Sequence, residues 1–474
     1  MIGTGEAYFD IVWRQFRKNR IAYRLVWVIL ALFGVAIFAP VLASNQPYWF
    51  TDPEGLRSPW LVSLVNAETA IDFVFNLALL IFFPWAAGAW LMNREARKGG
   101  VPGRRRVGLA VVLFFYLLSL ALLLVLSASS ETPVWIRWPL RLAAFGIAIA
   151  GLAWRNHRAR RNATPDRQRL LQLGLPAALF LAVAIPLMAF GAPDNRYFAR
   201  DFKKDRLQGK GSGPFTLLAY GPMEHDLDII FKKPLFKKPP EQSARFRDTQ
   251  VHLLGTDDSG RDVLVRIIYG TRISMTIGVV AVSIYITIGI IIGAVAGYFG
   301  GRVDMVISRV IEIVLLFPSF FLILTLVALI GPSIYIIMVV IGLTGWPTIA
   351  RLTRGEFLKQ RSIDYVAAAR GLGASDIRVI FRHILPNALS PAFVAVPFGI
   401  VGAIITEASL SVLGFGVRPP APSWGSILLI ATSNYEKWWL TVFAGLSIFL
   451  TVTVFNVVGS GLRDAMDPRL KGTH

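Results

Sequence analysis

Apolar runs of about 20 residues, separated by short polar loops, fill most of this chain, and that is the length at which a helix crosses the hydrocarbon core of a bilayer. Ten such spans can be read. They lie at about Leu25–Ala43, Ala70–Met92, Val107–Ser127, Trp138–Trp154 and Leu170–Ala192. After a long polar segment they resume at about Ile273–Tyr298, Met305–Ile330, Ile334–Ile349, Pro391–Val412 and Leu440–Gly459. A soluble chain of this size would show shorter, amphipathic runs. The expected fold class is therefore an all-α, polytopic membrane protein of about ten transmembrane helices.

The first loops alternate in charge. NREARKGGVPGRRR follows the second span and RNHRARRNATPDRQR follows the fourth, while the loops between them are almost free of Lys and Arg. The positive-inside rule puts the basic loops and the N-terminus in the cytoplasm, and ten spans bring the C-terminus to the same side. The net charge of +20 is thus read for topology. No basic stripe is interleaved with exposed aromatics, so no nucleic acid is expected. Residues 5–20 mix Phe9, Ile11, Trp13 and Phe16 with Arg14, Arg17, Lys18 and Arg20. That pattern suits a helix lying on lipid as well as it suits a plain orienting flank.

Catalytic and metal chemistry has little to work with. There is no cysteine, and the five histidines show no metal-ligand spacing. Gly209-Lys210-Gly211 lacks the flanking residues of a phosphate loop. No cofactor or metal is expected. Asp257, Asp258, Arg261 and Asp262 around Gly260 read as a capped turn with internal ion pairs, ahead of an acid/base or metal site. Pro318 is an expected kink. Glu312 is expected to pair with Arg309, and Glu407 to bond to nearby backbone or to Ser409 and Ser411. A proton-relay role for Glu407 is the lesser reading.

One polar, basic island, Arg351–Pro391, interrupts the apolar pattern. Two short helices are expected in it. The first runs from about Asp364 to Leu372, with Ser362 as N-cap and Gly373 as terminator. Tyr365, Ala368, Ala369 and Leu372 fall on one of its faces at i, i+3, i+4, i+7 spacing. Ser375 would cap the second helix and Pro386 would stop it. Small Ala and Gly side chains on an exposed helix let another backbone come close, which is the build of a docking element; an ordinary cytoplasmic loop is the plainer reading.

Ala368-Ala369, then Gly373, then His383-Ile384-Leu385-Pro386 resembles the "EAA" loop of ABC importer permeases, with Ala367 in place of the Glu that names the motif. The block HLLGTDDSGRDVLVRIIYGTRISM, His252–Met275, resembles the entry to the core of dipeptide, oligopeptide and nickel importer permeases. The Phe16–Arg20 flank and the first span look most like the microcin-C-type peptide importers. The resemblance implies a type I ABC importer transmembrane core in a bacterial inner membrane. It implies that Ala368, Ala369, Arg370, Gly371 and Gly373 contact an ATPase. It further implies two ABC ATPase subunits, a second permease subunit and an extracytoplasmic solute-binding protein as partners, with membrane lipid around them. The chain itself would be no enzyme. An ion-coupled secondary transporter is the alternative, although no internal repeat supports it.

On this reading residues 1–44 hold the surface helix and first span, and 45–192 the inserted helices. Residues 193–265 form an extracytoplasmic segment and 266–474 the permease core. Family permeases have one span before the core, so the four extra helices, about 70–192, are an insertion between standard parts.

Overall fold

The computed structural model describes residues 8–82 apart from 54, 66–68 and 70, the single positions 86 and 90, and residues 201–237 and 251–466. The third, fourth and fifth expected spans lie outside these residues. The chain divides into two compact units, residues 1–36, 222–237 and 251–474, and residues 37–221 with 238–250.

In the first unit, α1 (Tyr8–Lys18) buries Val12 and Phe16 against Val458, Ala465 and Met466, and leaves Trp13, Arg14, Arg17 and Lys18 exposed. The first span is α2 (Arg20–Leu42), which runs on into the second unit. Pro40 lies inside it. A proline has no N–H to give the carbonyl four residues back, which is Ala36. The fully buried Arg272 fills that place, its Nε donating to the Ala36 carbonyl at 2.6 Å.

In the second unit, β1 (Phe50–Asp52) pairs antiparallel with β2 (Gly55–Arg57). The short helices α3 (Pro59–Val65), α4 (Ile71–Phe82) and α5 (Phe202–Leu207) follow. Helix α4 is the described part of the expected second span. Phe50 is buried there, with Phe202 edge-on at 5.1 Å.

The core of the first unit is built on α6 (Val263–Phe299) and α9 (Ile334–Arg361). Gly289, Gly293 and Gly297 recur every fourth residue along one line of α6. A Cβ at Gly293 would stand 2.5 Å from the Ala350 carbonyl oxygen, and one at Gly297 would stand 2.6 Å from that of Arg354. In lipid there is no water to drive helices together, so close backbone approach through small residues is what makes them pair. Helix α9 does not stop at the expected Ile349. It continues for about three more turns to Arg361, so Arg351 and Arg354 belong to a helix rather than a loop.

Between these two lie α7 (Gly301–Leu316) and α8 (Ser319–Ile330), bent by 79° at Phe317–Pro318, where the kink was expected. Together the two helices are long and apolar enough for one bent span. Helix α7 starts from Gly300 at φ +66° and carries the Arg309–Glu312 pair at 2.6 Å, exposed on its surface.

The polar island holds α10 (Asp364–Gly371), and after it come α11 (Ser390–Val412), α12 (Trp424–Thr432) and α13 (Trp438–Met466). Among the described residues five helices are long and apolar enough to cross a membrane, or six with the broken pair.

Candidate coupling surface

Helix α10 (Asp364–Gly371) is one residue shorter than expected and starts differently. Ile363 occupies the N-cap and offers no side-chain bond, while Ser362 turns back to give its hydroxyl to the Lys359 carbonyl at 2.9 Å. The end is as expected. Gly373 takes φ +80°. The Gly373 N–H donates to the Arg370 carbonyl at 2.9 Å and the Ala374 N–H to the Ala369 carbonyl at 3.1 Å. Those two bonds close a Schellman motif, which needs a left-handed residue where Gly373 stands.

Ala368, Arg370, Gly371 and Gly373 are exposed and Ala369 is half-buried. A Cβ at Gly371 or Gly373 would meet nothing within 4 Å. The inward residue of α10 is Val366, fully buried. Leu372 is 90% exposed, because the helix ends before it and the chain leaves the α10 face. Ile377 and Phe381 also stand exposed, so the outer side of the island is apolar as well as small.

The second helix departs from expectation. Ser375 sits at its N-cap but makes no side-chain bond. Asp376–Arg378 is α-helical, Val379–Ile384 widens to a π turn, and Leu385–Ala388 resumes the α form. Pro386 therefore does not stop the helix but stands in the first turn of the resumed one, where its missing N–H costs nothing. Its missing donor falls on the widened stretch, the usual place for such an insertion.

The island is rooted on the ends of the two long helices. Val366, Val379, Ile384 and Ala388 form one buried cluster with Ala294 and Tyr298 of α6 and Phe357 of α9. The Tyr298 hydroxyl donates to the Asp376 carboxylate, and the Arg370 guanidinium lies over the Tyr298 ring, 5.0 Å from its centre. Arg361 Nη1 reaches the Phe299 carbonyl at 3.3 Å. Arg354 of α9 makes a two-pronged ion pair with Asp304 of α7, Nη2 to Oδ2 at 2.7 Å. None of Tyr298, Phe357 or Asp376 was expected from sequence at this site. A tyrosine at the last turn of an apolar span is ordinary, and its partner lies 78 residues further on.

The aspartate-rich block before α6 is a turn held by ion pairs. Arg261 donates to Asp257 at 2.7 Å and to Asp258 at 2.9 Å, and Asp257 also accepts the backbone N–H groups of Ser259 and Arg261. Asp262 caps α6 through the Val265 N–H and touches His252 Nδ1 at 2.8 Å. Every carboxylate here is engaged with a neighbour, which is the arrangement of a structural turn.

Glu407 of α11 is fully buried. Its Oε1 accepts from Ser411 at 2.8 Å, as expected, and from Ser423 at 2.9 Å, the residue that also caps α12. Ser409 is not a partner. Its hydroxyl turns back to the Ile405 carbonyl at 2.9 Å. The carboxylate thus pins α12 to α11.

Long apolar helices packed through glycine contacts, with a structured polar island rooted on the ends of two of them, define a class, the polytopic membrane proteins. A family model described as the binding-protein-dependent transport system inner membrane component matches residues 289–472. A second, the N-terminal transmembrane domain of oligopeptide transport permease C, matches residues 7–59. The dipeptide transport system permease of Alkalihalophilus pseudofirmus is 41% identical over 46% of this chain and 73% of its own length. The glutathione transport system permease of Pectobacterium atrosepticum is 41% identical over 47% and 74%. The di/tripeptide transport system permease of Pseudomonas aeruginosa is 38% identical over 53% and 81%. The chain belongs to this family, the ABC importer permeases of the dipeptide and oligopeptide type. Membership displaces the ion-coupled transporter as a reading and implies association with an ATPase and a binding protein.

Proposed function

We propose that this chain is one of two permease subunits through which peptides or similar small solutes are drawn across the cytoplasmic membrane by alternating access. Two ABC ATPase subunits would supply the work, and an extracytoplasmic binding protein would deliver the solute. The chain carries out no catalysis itself and takes no cofactor or nucleic acid. Its N-terminus, its C-terminus and the polar island face the cytoplasm. The four inserted helices, about residues 70–192, precede the core of 266–474 in the chain, within the stretch 60–288 that the two family models leave unmatched. The solute class is drawn from the relatives, named for dipeptides, glutathione and di/tripeptides.

One observation carries the reading: α10 is exposed on one side and rooted on the other in the ends of α6 and α9. Ala368, Ala369, Arg370, Gly371 and Gly373 would seat in the ATPase, and displacement there would pass through Val366 and Tyr298 into α6 and α9. The test separates bulk from backbone strain. Gly373→Asn keeps a residue that tolerates the left-handed conformation and should leave uptake near normal. Gly371→Trp, which adds bulk at a helical position without a positive φ, should abolish coupled uptake in vesicles while the protein still inserts. Unchanged uptake and ATPase stimulation in the Trp variant would refute the assignment of this surface.

A further inference from the structure

At the inner ends of α9, α11 and α13, beside the polar island, a cavity of about 840 Å³ opens within the first unit. Its wall is graded along the helices. On α9 the lining passes from Leu352 to Glu356 and then Lys359; on α11 it passes from Phe398 through Val394 to Ser390. Eight residues of helix span about 12 Å, so the two helices change together from apolar to polar over the depth of a headgroup layer. Arg463 of α13 also borders the cavity, its guanidinium 4.8 Å from the centre of the Phe398 ring. No carboxylate pairs with Arg463 among the described residues. Lys359 has only a loose contact with Glu356 at 3.9 Å. Among the described residues the wall therefore offers two cations against one acid, and Arg463 faces an aromatic ring but no carboxylate.

We propose that this cavity binds an anionic phospholipid. Its phosphate sits between Arg463 and Lys359, with Ser390 and Asn387 as further donors, and its upper acyl chain lies along Leu352, Val394 and Phe398. The chemistry fits each part. A guanidinium pairs with phosphate through a planar fork. Basic pockets between membrane helices at the headgroup level select acidic lipids. A cavity in this size range matches the pockets that hold small ligands. Tyr365 of α10 and Gln360 of α9 also line it, joined by a hydrogen bond at 2.8 Å, so the lipid would lie against the root of the coupling surface.

The assembled importer, extracted in mild detergent and offered phosphatidylglycerol or phosphatidylcholine, is examined by native mass spectrometry. The expected result is one retained phosphatidylglycerol per copy of this chain, and none of the choline lipid at the same concentration. Removing one cation near a membrane surface weakens such binding about fivefold. Arg463→Gln should show that loss and Arg463→Lys should recover most of it. Ala395→Phe fills the slot without touching a charge and should also remove the lipid. Arg17→Gln, on the exposed face of α1, should leave retention unchanged. Equal retention of both lipids, or retention that survives Arg463→Gln and Ala395→Phe, would each overturn the proposal.

Discussion

At the scale of single residues, one carbonyl is left that its own helix cannot satisfy. Pro40 leaves the Ala36 oxygen of α2 without its usual donor, and Arg272 supplies one from α6. Arg272→Met keeps most of the stem and removes the donor. A lost hydrogen bond to a charged group costs about 1.5–3 kcal/mol. The variant should lower the midpoint of thermal unfolding of the purified permease. Pro40→Ala then gives the helix back its own N–H at that point. In the Arg272→Met background it should recover part of the loss, and in the native background it should change little. If Pro40→Ala restores nothing, the two residues are not partners in the way the distances imply.

At the scale of elements, the α6–α9 pair depends on glycine more than on shape. A Cβ at Gly293 would meet the Ala350 oxygen at 2.5 Å and Thr353 Cβ at 2.8 Å, and neither a backbone carbonyl nor a helix axis yields cheaply. Gly293→Val should push the helices apart, lower the yield of folded protein and destabilise it by about 1–3 kcal/mol, the ordinary cost of overpacking. Gly355→Ala is the control. It sits in α9 with nothing within 4 Å and should be neutral or stabilising by up to about 1 kcal/mol. Heat stability in detergent separates the two. Sequence exposed some of this and hid the rest for physical reasons. The core spans were legible because an apolar run of bilayer length has one solution. The end of α10 was legible because Gly373 closes it with a conformation few other residues adopt. The last three turns of α9 were not, because their charges resemble a loop and only the packing of Phe357 and the Arg354–Asp304 pair reveal a helix. The inward face of the island was hidden for another reason. Val379 and Ile384 are five residues apart, and a π turn brings them to the same side, off the 3.6-residue period used to look for a face.

At the scale of the whole molecule, a permease that takes its work from outside must pass movement at one loop into every helix that shapes the path. The island reaches α6 and α9 through buried contacts, but the broken span α7–α8 has few of its own. Ile311, Ile323 and Val327 are its only buried side chains, and it departs from α6 at Gly300 and Gly301, both with positive φ. The Asp304–Arg354 pair ties its start to α9 about two turns before that helix ends. The pair is partly exposed, so its worth to stability is small, on the order of 1 kcal/mol or less. Its worth to coupling should be larger, because without it α7 can lag behind α9. Asp304→Ala should therefore leave insertion and thermal stability nearly unchanged and yet lower solute uptake per ATP hydrolysed in proteoliposomes. The reversed pair, Asp304→Arg with Arg354→Asp, restores attraction between the same two helices and should regain much of that ratio. A reversed pair no better than either single change, or an Asp304→Ala permease with normal uptake per ATP, would show that α7 follows the bundle by some other contact.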